Sequence, residues 1–299
     1  MTGLSELTTK ASRRFFVLHE GFYPGVQERL DQLSEAAIAR GIEPLVLDSL
    51  KMCFEDVPKP RRGDLLYNCA RGSTFLESRL LREGLATFYR QVPLIIAEET
   101  TVYCSIVHEK AGLPAPRTAY NLPTDRAALK RRVESVGGFP VVIKSAIGTR
   151  GIGTLRVESW QALVSLADHL ATLPGKYIIR EFIDAAYGMR AMVLGNEVFA
   201  ALRFEIPDDD FRNAAGPDPC IYTPIELTEA QTQLCVQAAH AVNREMGGVD
   251  LLIDHEGKAF LLEINMPTGF QALAGSPWFI QNAWVDYLVA KSNAIVTLC

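Results

Sequence analysis

The sequence predicts an α/β unit followed by an α+β region, and three features imply it. Short apolar runs alternate with amphipathic helical patterns over the first hundred residues. The stretch LPAPRT then interrupts the pattern, and beyond it strand-like runs come in pairs around glycine-containing turns.

RFFVLHEG is the first predicted strand and QERLDQLSEAAIARG the first helix, with Gly41 as its stop ahead of the strand EPLVLDS. DLLYNC is a third strand, SRLLREGLATFYRQ a second helix and VPLIIAE a fourth strand. Together they make a βαβ-type domain with a mainly parallel sheet over residues 1–98. From about Glu98 a helix through TVYCSIVHEKAG runs to Gly112, after which Pro114 and Pro116 disfavour helix. DRAALKRRVESVGG (helix), PVVIKSA (strand), the glycine-rich GTRGIG, TLRVES (strand), WQALVSLADHLATL (helix) and KYIIREFI (strand) follow. That order suits helices packed on an antiparallel sheet over residues 99–184. Residues 185–299 open with two apolar strands around a turn at Gly195 and Asn196. A helix begins at Thr228, with Gln231 completing a capping box, and is expected to end at Gly247 and Gly248. GVDLLIDHEGKAFLLEIN then reads as a hairpin.

With 299 residues, 48% of them hydrophobic and 22% charged, the chain can bury a sizeable core in two or three subdomains. A formal net charge of -5 argues against general attraction to nucleic acid or an anionic membrane, so neither is an expected partner. Arg13 and Arg14 precede only a short apolar run, too short for a signal-peptide core. No apolar run approaches membrane-spanning length, and a cytoplasmic location is expected. The six cysteines (Cys53, Cys69, Cys104, Cys220, Cys235, Cys299) are scattered without CxxC spacing or a histidine cluster, which points to thiols rather than a zinc site or disulfide framework.

Gly148, Gly151 and Gly153 of GTRGIG exclude two familiar phosphate motifs. A P-loop needs its lysine after the glycines and a helix next, whereas Lys144 precedes them on the strand VVIK and another strand follows. A dinucleotide fingerprint needs GxGxxG opening a helix, and the spacing here is GxxGxG. Two readings stay open: a plain glycine hairpin, or a flexible loop whose N–H groups fold over phosphate oxygens beside Lys144. A lysine amid Val141, Val142 and Ile143 needs an anionic partner if half-buried.

Strand alternation in LLEINMPTG sets Glu263 and Asn265 on one face and Leu262 and Ile264 on the other. With a loop at His255 to Lys258, Asp254 would pair with Ala259, Leu252 with Leu261, and Asp250 with Glu263. Facing carboxylates repel and require a cation. Three hard oxygen groups with room for water and phosphate suit Mg²⁺, with Mn²⁺ as an alternative. Arg190, Arg203 and Arg212, the last beside Asn213, are open to two readings: solvated surface groups, or clamps on a carboxylate or a transferring phosphoryl group. Arg71 in YNCARGSTF is open to the same pair of readings.

Taken in order, FPVVIKSAIGTRGIGTLRV, YIIREFI, GMRAMVLGNEVFAALRF, DFRN, GVDLLID and LLEINMPTG resemble the ATP-grasp superfamily, and within it the RimK-like branch similar to ribosomal protein S6 modification ligases. The resemblance covers roughly residues 100 to 275. It implies an ATP-grasp fold with an N-terminal pre-ATP-grasp domain that helps form the acceptor pocket, and an ATP site between a central lid subdomain and a C-terminal subdomain. It further implies Lys144 on the phosphates, the glycine loop as lid, REFI as hinge strand with Glu181 and Phe182 at the adenine and ribose, and Asp250, Glu263 and Asn265 as metal ligands. Arg212 with Asn213 matches the family's substrate and phosphate loop. The activity implied is carboxylate-amine ligation through an acyl phosphate, on an amino acid, a short peptide or a peptide tail. A kinase or carrier-protein acylating enzyme on the same fold, or a degenerate nucleotide-binding scaffold, are the alternatives, and homo-oligomerisation stays open. Two departures stand out: Thr100 and Thr101 occupy the place of a common Asp-Lys pair, and Gly188 with Met189 that of an acidic residue before Arg190.

Overall fold

All six residues of Arg14–His19 (β1) are buried, as befits the central strand of a parallel sheet covered on both faces. The computed structural model describes residues 12–21, 25–70, 74–94, 96, 101–146, 151, 153–207, 210–212, 222–266 and 280–297. β1 pairs in parallel with Glu43–Asp48 (β2) and Leu65–Ala70 (β3), in the order β2-β1-β3. Helix Val26–Ile38 (α1) makes the crossover and buries Val26, Leu30, Leu33, Ala36 and Ala37. Phe16, Leu18, Leu47, Leu66, Leu76 and Leu85 belong to one apolar cluster.

Two expectations fail after β3. The helix predicted over Ser78–Gln91 is Thr74–Leu80 (α2), and the chain turns at Gly84, whose φ is 87°. Ala86 then lies beside β3, its N–H donating to the Asp64 carbonyl and its carbonyl accepting from Leu66 N–H. These ladder bonds replace the helical ones. The fourth strand does not form at Val92–Leu94 or Ile96; Pro93 has no N–H to give a ladder.

Residues 98–274 form a separate compact unit. It starts with Thr101–Lys110 (α3), Thr118–Ala119 (β4), Arg126–Ser135 (α4), Val141–Ser145 (β5), Thr154–Val157 (β6), Trp160–Leu170 (α5) and Tyr177–Glu181 (β7). The strands make an antiparallel sheet in the order β4-β7-β5-β6. Asp125 caps α4 by accepting the Ala128 N–H at 2.7 Å, and Ser159 accepts the Ala162 N–H at the start of α5. Leu129 and Val133 of α4 and Leu163 and Ala167 of α5 pack with Val141, Ile143 and Ile179 of the sheet.

A second sheet holds Ala185–Leu194 (β8), Glu197–Phe204 (β9), Tyr222–Pro224 (β10), Met246–Asp254 (β11) and Ala259–Asn265 (β12), in the order β10-β9-β8-β11-β12. Helix Glu229–Ala241 (α6) packs on it, and the expected capping box at Thr228 and Gln231 is present. Its stop is Asn243, at φ 62°, rather than the glycine pair. Gly247 and Gly248 lie inside β11, where a Cβ on Gly247 would meet Ile264 Cγ2 at 2.8 Å. Gly247 serves close strand approach, and neither glycine ends the helix. Met189, Ala191, Val193, Val249, Leu251 and Ile264 share one core with Cys235, Ala238 and Ala239 of α6.

The last helix, Ile280–Thr297 (α7), packs on α1 and β3. It therefore sits with the first unit, Met1–Ala97 plus Gly275–Cys299, and not with the strands of the 185–299 segment. Cys53, Cys69 and Cys235 are free thiols and Cys104 is buried on α3; Cys220 and Cys299 lie outside the described residues. Among the described residues no helix is long and apolar enough to cross a membrane.

Candidate active site

One row of charged side chains crosses the five-stranded sheet. Arg190 on β8 is opposite Asp250 on β11, which is opposite Glu263 on β12. Met189 and Leu251, one position along, belong to the core on the other side, so the row occupies the face away from α6. The β11–β12 hairpin reaches this register by an unexpected route. Ile253 pairs with Ala259, Leu252 with Phe260 and Leu251 with Leu261, in place of the Asp254–Ala259 and Leu252–Leu261 pairs of an unbroken ladder. A bulge beside Asp250, with Leu262 as the extra residue, restores Asp250 to its place opposite Glu263.

The row is stitched by short bonds. Arg190 Nε and Nη2 donate to Asp250 Oδ1 and Oδ2, each at 2.6 Å, the fork geometry of a strong ion pair. Asn265 Nδ2 donates to Asp250 Oδ2 at 2.9 Å and to Glu263 Oε1 at 3.3 Å. Lys144 Nζ comes from β5 in the other sheet and stands 3.2 Å from Glu263 Oε2, supplying the anionic partner its strand position demanded. Thr101 Oγ1, at the start of α3, donates to the same oxygen at 3.0 Å.

The environment treats the two carboxyls differently. Burial pushes Glu263 up, but Lys144 and the hydrogen bonds from Thr101 and Asn265 outweigh it and hold this carboxyl below its ordinary value. At Asp250 burial dominates and raises the carboxyl, against the pull of Arg190. Asp250 in turn holds the Arg190 guanidinium above its ordinary value, against desolvation. Among the described residues no three His, Cys, Asp or Glu side chains group as a metal site. The oxygen set here is two carboxylates and an amide on one face, already joined through Asn265. That chemistry fits Mg²⁺, which takes hard oxygens and keeps waters and phosphate in its remaining positions.

A second cluster gathers at the end of β7. Arg117 holds Glu181, with Nη2 to Oε1 at 2.7 Å and Nε to Oε2 at 3.0 Å. Phe182 lies under the Arg156 guanidinium at 4.1 Å and edge-on to Phe211 at 6.3 Å. Arg212, next to Phe211, makes a fork to Asp210, with Nη2 to Oδ2 at 2.8 Å. A Cβ on Gly151 would stand 3.6 Å from the Arg212 side chain, so the end of the glycine loop meets this cluster. Gly153 follows at φ 78°. Gly148, Asn213 and Arg71 lie outside the described residues.

Arg203 is not brought to either cluster. It pairs with Met189, so it projects on the α6 side of the sheet, where it bonds Glu205 at 2.8 Å and stacks on Tyr187 at 4.2 Å. Thr101, noted in the sequence only as a departure, is part of the row. Gly188, the other departure, faces Phe204: a Cβ there would come 1.7 Å from the ring. The aromatic ring fills the space that a side chain at this position would use. An interior strand glycine signals such close approach, and that was the available clue.

Residues 100–276 match the RimK-like ATP-grasp domain. A protein named probable alpha-L-glutamate ligase 1, from Pseudoalteromonas atlantica (strain T6c), is 26% identical over 282 residues, covering 88% of this chain and 91% of its own. Another named probable alpha-L-glutamate ligase, from Enterobacter sp. (strain 638), is 30% identical over 167 residues, 55% of this chain and 54% of its own. Among solved structures, the ATP-grasp ligase PsnB complexed with a phosphomimetic variant of minimal precursor, Mg and ADP superposes with a TM-score of 0.70 at 22% identity, covering 94% of this chain and 99% of that one. The macrocyclase MdnC bound with precursor peptide MdnA, from Microcystis aeruginosa MRC, gives 0.63 at 14% identity, covering 93% and 99%. At these identities the structures establish the shared fold.

Proposed function

This chain belongs to the RimK-like ATP-grasp family and is an ATP-dependent ligase; from that premise we propose that it joins the carboxylate of an amino acid, a short peptide or a peptide tail to an amine. The observation that carries the proposal is the row of Lys144, Glu263, Asn265, Asp250 and Arg190, which collects two cations and three oxygen-bearing groups on one sheet face. The acceptor class is supported by relatives named probable alpha-L-glutamate ligases and by fold neighbours bound to precursor peptides.

In the proposed reaction a substrate carboxylate oxygen attacks the γ-phosphorus of ATP and ADP departs, leaving an acyl phosphate. The amine nitrogen then attacks the acyl carbon, phosphate leaves, the nitrogen loses its proton and an amide remains. Lys144 and Arg190, now neutralised by Glu263 and Asp250, are the fixed positive charges for the phosphate oxygens. Arg212 with Asn213 would hold the transferring group, Glu181 and Phe182 the nucleoside, and Gly148, Gly151 and Gly153 the lid over the phosphates. Asp250, Glu263 and Asn265 would hold Mg²⁺, which when bound neutralises charge developing on the phosphates. Residues 99–184 would be the lid subdomain and the strands after 185 the metal-bearing one.

The test is incubation with Mg²⁺, ATP and pools of amino acids, dipeptides and carrier proteins, with ADP, phosphate and product mass measured. An amide, its mass the sum of two substrates less one water and its amount matching released phosphate, is expected. A phosphate ester or a thioester would instead place the chain with kinases or carrier-acylating enzymes. No thermal shift with Mg-ATP at millimolar concentration would leave a scaffold, because a ligand that binds the native state must stabilise it.

A further inference from the structure

Arg180 lies on β7 immediately before Glu181, is only 5% exposed, and forms no ion pair among the described residues. A guanidinium in that setting is expensive unless its donors are used. Its Nε donates to Thr118 Oγ1 at 3.2 Å, and its Nη2 donates to Ser105 Oγ on α3. Ser105 Oγ passes the connection on by donating to the Thr101 carbonyl at 2.7 Å, and Thr101 Oγ1 donates to Glu263 Oε2. Ser105 and Thr101 are themselves buried. The acid whose charge bears most on Arg180 is Glu263.

We propose that Arg180, acting through Ser105 and Thr101, is a positioning residue that orients the Glu263 carboxylate for the metal. This rests on the reading of Glu263 as a metal-holding group. The relay joins three elements that need not otherwise agree: the strand leading into the hinge, the first turn of α3 and the metal-bearing hairpin. Arg180 holds Ser105, Ser105 fixes the first turn of α3, and that turn aims the Thr101 hydroxyl. One Glu263 oxygen is thereby pinned while Lys144 approaches the same atom from β5. Outer-shell partners of this kind typically set metal affinity by about 10–100-fold.

The experiment titrates Mn²⁺ into the full chain with a nonhydrolysable ATP analogue, reading bound metal by electron paramagnetic resonance. Thr101→Val removes only the hydroxyl and is expected to weaken Mn²⁺ by about tenfold, with Thr101→Ser restoring affinity to near the parent value. Ser105→Ala and Arg180→Gln are expected to weaken it in the same direction. Parent-like affinity in Thr101→Val, or a Thr101→Ser variant as weak as Thr101→Val, overturns the relay. A Thr101 effect with none from Ser105→Ala in a folded protein removes Arg180 from the role. Should Arg180→Gln fail to fold, the Thr101 and Ser105 variants still decide. Glu263→Gln separates the two levels: unchanged Mn²⁺ affinity there sinks the metal assignment itself and the proposal with it, whereas strong loss there beside a silent Thr101→Val sinks only the relay.

Discussion

Two arginine–aspartate forks, one in each compact unit, show how the same bond serves different ends. In the N-terminal unit Arg14 donates through Nε and Nη2 to Asp64 Oδ2, at 3.1 and 2.7 Å, and Asp64 also accepts backbone N–H groups from Arg14 and Arg61. The remaining contact of Arg14 Nη2 is the Lys59 carbonyl. Main-chain partners fill that fork, and they cannot leave without unfolding the start of β1. In the second unit the Arg190–Asp250 fork is shorter, yet the further hydrogen bond to Asp250 comes from the side-chain amide of Asn265. The side chain of Arg190 is also more exposed than that of Arg14, at 25% against 8%. A fork completed by backbone is structural, while one completed by side chains on an accessible face can exchange partners with a ligand.

The largest test of that contrast is Asp64→Ala, which strands a buried guanidinium. It should lower stability by about 3–5 kcal/mol in urea unfolding, and a loss under about 1 kcal/mol would break the structural half of the comparison. Next comes Glu263→Ala, expected to keep the fold by circular dichroism while cutting turnover about a hundredfold, equivalent to about 3 kcal/mol. Near-parent turnover there would break the functional half.

A smaller effect should appear on acidification. In the folded chain Glu263 sits below its ordinary value of 4.5, Lys144 and its hydrogen bonds outweighing burial. The unfolded chain therefore takes up the proton first, and this group stabilises the fold above that ordinary value and loses its contribution as pH falls through the depressed one. Asp250, raised by burial, has the opposite sign. Glu263→Gln should accordingly flatten the fall of melting temperature below about pH 4.5. An unchanged slope would remove the electrostatic account of the row. The smallest effect is expected from Arg203→Ala: its guanidinium lies across the sheet from the row, so phosphate release should match the parent, and a marked loss would mean that the two faces communicate.

Much of this was legible because it depends on local chemistry. Thr228 with Gln231 and the Gly195–Asn196 turn follow from capping and turn rules. What misled was geometry that a neighbour imposes. The segment after Leu80 has helical composition, but it finds ladder partners on β3, and Gly247 marks strand contact rather than a helix end. Asp250 and Glu263 face each other as expected but across a different loop, because only the bulge beside Asp250 brings them opposite each other.

Period-two alternation by itself placed Glu263 and Asn265 together and Lys144 on a strand in need of an anion, because side-chain direction in a strand is set by the backbone alone. Which anion Lys144 meets, that Thr101 shares it, that Phe204 covers Gly188 and that Arg203 faces away were decided only by tertiary structure. Those contacts join residues far apart in the chain. The docking of two sheets and one helix determines such distances, and the one-dimensional pattern does not contain them.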